Sequence, residues 1–92
     1  MKIMTKNEMR TSLKLINSYV KQEFPNIKEI TIVNYEPLIT EKLSFLVENT
    51  EDTIFSERMF ASKYIKKVFN TFGYGIDIEV YFKRQYKGNI KF

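Results

Sequence analysis

The chain has no cysteine and no histidine. Without thiols there is no disulfide framework, thiolate metal site, iron–sulfur cluster or cysteine nucleophile. Without imidazole, the most common general base and the most common transition-metal ligand are gone as well. The expectation is a protein that is not an enzyme and needs neither metal nor cofactor. Long apolar runs are also missing. The opening Met1-Lys2-Ile3-Met4-Thr5-Lys6 lacks the apolar stretch of about 7–15 residues of a signal peptide, and no run approaches the roughly 18 residues of a membrane span. The chain therefore reads as soluble and cytoplasmic, with no membrane partner. Tryptophan is absent, and Ala61 is the only alanine among 92 residues rich in Lys, Ile, Asn, Glu, Phe and Tyr. That bias is typical of AT-rich genomes, often those of bacteria, phages or other mobile elements.

A chain of this length forms one domain, residues 1–92, with a small core. Eight Phe and six Tyr supply the buried area that a longer chain would draw from aliphatic residues. The first element is a helix. Thr5 followed by Glu8 has the capping-box spacing, Met9, Leu13, Ile16, Val20 and Phe24 form an apolar stripe, and Pro25 ends it. Lys6, Arg10, Lys14, Asn17 and Lys21 form a neighbouring stripe that reads as a solvated face.

Two strands follow. In 27–35, Ile30 and Ile32 face one side and Thr31, Val33 and Tyr35 the other; in 39–48, Leu43, Phe45 and Val47 alternate with Lys42, Ser44 and Leu46. The short connection at Pro37 makes them an antiparallel hairpin. Thr53-Ile54-Phe55 reads either as a short strand or as the lead into a second helix capped by Ser56. That helix carries Ala61, Ile65, Val68 and Phe72 as its stripe, with Tyr64 and Phe69 flanking, and Gly73-Tyr74-Gly75 reads as its stop and turn. A strand with Ile76, Ile78, Val80 and Phe82 facing the core comes next. The tail, with Tyr86, Ile90 and Phe92 and a Gly88-Asn89 turn signal, reads as a possible fourth strand. The expected fold is α+β, in the order α-β-β-α-β(-β): a small antiparallel sheet of three or four strands with two helices on one face.

Charge is unevenly distributed. Residues 1–24 hold five basic and two acidic side chains, residues 25–57 two and seven, and residues 58–92 eight and two, so segments of +3, −5 and +6 lie behind a net charge of +4. The acidic segment suits a basic protein partner or the chain's own lysines. The basic C-terminal segment points to phosphate, through counterion release, with Tyr81 or Tyr86 available to stack on unpaired bases. The candidate binding residues are Lys63, Lys66, Lys67, Lys83, Arg84, Lys87 and Tyr86, and the expected partner is nucleic acid or a nucleoprotein. A reading of a different class is a small inhibitor or adaptor that docks on a protein target by charge complementarity, of the anti-defence, anti-CRISPR-like kind that phages encode. Asp77 and Glu79 share a strand face, a pairing that can hold Mg²⁺, but polar residues on the outer face of a half-buried strand are ordinary. The element order is loosely like part of a type II KH domain, without its Gly-x-x-Gly loop. The tail shares only Lys87-Gly88 and a final aromatic with RNA-recognition-motif signatures, so no family is assigned.

Overall fold

A computed structural model describes residues 4–36, 42–70, 77–84 and 86–92. The elements are α1 (Lys6–Glu23), β1 (Ile27–Glu36), β2 (Lys42–Asn49), α2 (Phe55–Asn70), β3 (Asp77–Arg84) and β4 (Lys87–Lys91). This is the expected α+β class, and the fourth strand is present. The sheet order is β1-β2-β3-β4. β1–β2 and β3–β4 pair antiparallel, whereas β2 and β3 pair parallel, so the sheet is mixed rather than antiparallel throughout. The connection explains the difference: α2 lies between β2 and β3, and a helical crossover lets the next strand enter in the same direction as the last.

The two central strands build the core by alternation. Leu43, Phe45 and Val47 of β2 and Val80 and Phe82 of β3 have no appreciable exposure, and registers Phe45↔Val80 and Val47↔Phe82 set them side by side. Ile16 and Val20 of α1 and Ala61, Ile65 and Phe69 of α2 belong to the same apolar cluster, so both helices cover this one face.

The α1 capping box forms as the sequence implies. Thr5 Oγ1 accepts from the Glu8 N–H at 3.1 Å, and Glu8 Oε1 accepts from the Thr5 N–H at 3.1 Å. The neighbouring polar stripe is not wholly solvated. Asn17 Oδ1 accepts from the Ile30 N–H at 2.8 Å while its Nδ2 donates to the Ile30 carbonyl at 2.9 Å. One side-chain amide thus meets both outward backbone groups of an edge-strand residue, as a further strand would. Lys21, one helical turn along, pairs with Glu29 at 3.3 Å.

β1 departs from simple alternation. Its register against β2 shifts between Ile27 and Glu29 and again between Ile32 and Asn34. After the second shift Tyr35 turns to the core side and its hydroxyl accepts from the Met4 N–H at 2.9 Å, while Val33 is left exposed, so the two do not share a face.

The buried arc of α2 is Ala61, Ser62, Ile65 and Phe69, with Val68 half-buried. Phe69 is therefore a core residue rather than a flank, because its ring meets Phe45 edge-on at 5.0 Å. Phe72, the Gly73–Gly75 stop and Ile76 lie outside the described residues. The helix starts at Phe55, one residue before the expected Ser56 cap, and 53–55 is not a strand. Ile54 precedes it, and its N–H donates to Glu57 Oε1 at 2.9 Å. This is half of a capping box: the glutamate is in place, but the capping side chain has no acceptor.

The final hairpin turns earlier than the Gly88-Asn89 signal suggests. Arg84 pairs with Lys87 and Phe82 with Ile90, and the Phe92 N–H donates to the Val80 carbonyl at 2.9 Å. Core burial explains this register, since it sets Ile90 and Phe92 over the core edge. A turn at Gly88-Asn89 would instead pair them beyond it. The β4 stretch from Lys87 to Ile90 carries one more residue than the β3 stretch it faces, so Gly88 and Asn89 lie in a bulge. Tyr86 occupies the turn at φ 58°.

Asn17→Ala strands the Ile30 N–H at a part-buried edge and should cost about 1–3 kcal/mol in urea unfolding, against less than about 0.5 kcal/mol for Lys14→Ala. Ile54→Ser supplies the missing cap acceptor and should raise stability by about 0.5–1 kcal/mol, seen as a higher melting temperature.

Candidate nucleic-acid interface

The phase of α2 decides which of its lysines reach solvent. With Ala61, Ile65 and Phe69 turned inward, Lys63 and Lys67 are exposed and Lys66 is half-buried. The exposed pair borders an aromatic group at the α1–α2 seam. Tyr19 stacks on Tyr64 with ring centres 4.5 Å apart and planes 23° apart, and Phe60 lies 5.8 Å from Tyr19. Lys63, Lys67 and these three rings line an open depression of about 320 Å³.

The remaining candidates lie elsewhere. Lys83 alternates with inward-facing Phe82, so it leaves the sheet on the side away from the helices. Lys83, Arg84 and Tyr86 line a second depression, of about 350 Å³, with Lys28, Glu48 and Asn49 at the end of the sheet where β2 and β3 finish. Lys87 is exposed beside them, next to Tyr86 at the turn. The seven sequence candidates therefore do not form one surface: Lys63 and Lys67 are exposed on the helical side, Lys66 is half-buried on the same helix and lines neither depression, and Lys83, Arg84, Tyr86 and Lys87 lie at the hairpin.

Arg84 has a structural task as well, since its Nε donates to the Gly88 carbonyl at 2.8 Å across the hairpin. No carboxylate lies within ion-pair distance of Lys28, Lys83 or Lys87 among the described residues. Lys28 was not a sequence candidate. It precedes Lys83 by more than half the chain, and no local pattern links the two.

Lys91, by contrast, is engaged by Glu79. This carboxylate projects from the face of the sheet without helices, yet it is only 8% exposed. Its Oε2 accepts from Lys91 Nζ at 2.8 Å with Lys42 Nζ at 3.8 Å, and its Oε1 accepts from Ser44 Oγ at 3.2 Å. Glu79 is thus a buried, fully partnered group rather than an ordinary solvated one, with both oxygens taken by protein donors. Asp77, two residues earlier, is exposed. The Lys91 hydrogen bond holds the Glu79 pKa below its ordinary 4.5, outweighing desolvation, and the same bond raises Lys91 above its ordinary 10.5.

Among the described residues no group of three or more His, Cys, Asp or Glu is placed to hold a metal ion. No described helix is long and apolar enough to cross a membrane. No family model, curated protein or solved structure matches the chain.

The Glu79 cluster has a defined pH dependence. A carboxylate with a depressed folded-state pKa stabilises the fold above its unfolded value and loses that contribution as pH falls through the folded one. The raised Lys91 contributes below its unfolded value and is lost as pH rises through its folded one. Both contributions are present between about pH 4.5 and 10.5. Glu79→Gln should lower the melting temperature at pH 7 and shrink the difference between pH 7 and pH 3; an unchanged acid transition in the variant would remove this role.

Proposed function

We propose that the chain is a non-enzymatic module that binds nucleic acid, or a nucleoprotein, by its phosphates at the hairpin end of the sheet. The observation that carries this reading is the convergence of Lys28, Lys83 and Arg84 on one depression, with exposed Lys87 adjacent and Glu48 as the one carboxylate lining it among the described residues. Unpaired ammonium groups in such a cluster favour phosphate because each contact releases condensed counterions. Lys63 and Lys67 provide a smaller basic surface on the helical side, suited to a second stretch of the same strand or to a protein component.

A second reading, docking on a protein target as an inhibitor or adaptor, is favoured by one observation of its own. Ile54, Phe55 and Met59 are exposed at 63%, 62% and 40%, clustered at the start of α2. Ile54 stands where a polar cap would stabilise the helix, so helix capping does not account for an apolar residue there. Exposed apolar clusters of this kind commonly mark protein interfaces.

Titration of a labelled oligonucleotide at several salt concentrations tests the first reading. Log affinity should fall linearly with log salt, and Lys83→Ala and Lys87→Ala should each reduce the slope by about 1. Lys91→Ala should leave the slope unchanged, because that ammonium is held by Glu79. Absence of binding to any DNA or RNA at low salt would sink the reading. A protein partner recovered after nuclease treatment, and lost with Phe55→Asp, would support the second.

A further inference from the structure

The residue that phosphate binding does not explain is Tyr86. It sits in the left-handed region at φ 58°, which favours glycine or asparagine, although Gly88 and Asn89 are two and three residues away. Nothing compensates within the fold, since the side chain is fully exposed and makes no ring contact or hydrogen bond among the described residues. Tyr81, the other candidate ring, is half-buried on the sheet face, opposite Lys91 in the ladder. Tyr86 is thus a bare aromatic face held by a short hairpin turn, at the edge of a basic depression of about 350 Å³.

The geometry points to Tyr86 as a stacking platform for an unpaired base, so that the hairpin end selects single-stranded over duplex nucleic acid. This rests on the phosphate reading above and adds the class of substrate. A base within a duplex has both faces covered by its neighbours, whereas a single strand can lay one base on the ring while its flanking phosphates reach Lys83, Lys87 and Lys28. Arg84, bonded to the Gly88 carbonyl, braces the hairpin backbone that carries the ring. Strain kept at an exposed position with no packing return is the pattern expected of a functional residue.

Fluorescence anisotropy with a labelled oligo-dT and a duplex of equal length provides the test. The wild-type protein should bind the single strand about tenfold or more tighter than the duplex. Tyr86→Gly, which suits the left-handed backbone, should keep or raise the melting temperature while weakening single-strand binding about tenfold and leaving duplex binding unchanged. Tyr86→Phe should retain single-strand affinity. Equal binding of the two probes by the wild type, or single-strand binding unaffected in Tyr86→Gly, would overturn the assignment. In either case a loss with Lys83→Ala would leave the phosphate reading standing, whereas no binding of either probe at low salt would end both.

Discussion

The bidentate pairing of Asn17 with Ile30 is the constraint from which the helical side of the molecule follows. An edge strand exposes unpaired N–H and C=O groups, which are costly to bury and hazardous to leave open. By placing a side-chain amide against both groups of one residue, α1 acts as a partial fifth strand and closes β1 at its middle. The bond also fixes the rotation of α1, because Asn17 can reach the edge in only one helical phase. Ile16 and Val20 then enter the core, and Tyr19, on the side of the helix away from Asn17, is delivered to the seam with α2, where it stacks on Tyr64. The bulges on either side of Ile30 add local twist and interrupt the regular ladder, a further protection against pairing with another chain.

The opposite face of the sheet is organised by a different means. No helix covers it, yet Glu79 is buried there because Lys42 and Lys91, from strands on either side, fold their side chains over it. Long lysine stems shield the surface while their ammonium groups meet the carboxylate, so charge and apolar cover come from the same residues. The arrangement also redistributes the basic charge of the C-terminal segment. Lys91 is neutralised within the fold, and Lys83 and Lys87 remain for an external anion. The proposed interface is consequently narrower than the overall charge suggests, and it is concentrated where the hairpin turns.

Much of the fold was legible because it depends on chain geometry alone. The capping box at Thr5 and Glu8, the inward triad Leu43, Phe45 and Val47, and the β3 pair Val80 and Phe82 each follow from helical or strand periodicity together with local side-chain chemistry. The segregation of positive charge into residues 58–92 was equally plain. Other features required knowledge of neighbours. Phe69 counts as a flank by angle but as core by its contact with Phe45, and Gly88-Asn89 is a turn signal overruled by the burial of Ile90 opposite Phe82.

The sequence by itself determined the element order, the α+β class and the residues with which the central strands line the core, since period-2 and period-3.6 patterns report which side of an element is buried. Tertiary structure alone decided that β3 runs parallel to β2, that Asn17 is an edge clasp and Glu79 an ion-pair centre, and that Lys28 joins Lys83 and Arg84. It also decided that Tyr86 is fully exposed at the turn. Each of these is a relation between segments far apart in the chain, set by how whole elements dock. Local pattern carries no information about a partner that only packing brings within reach.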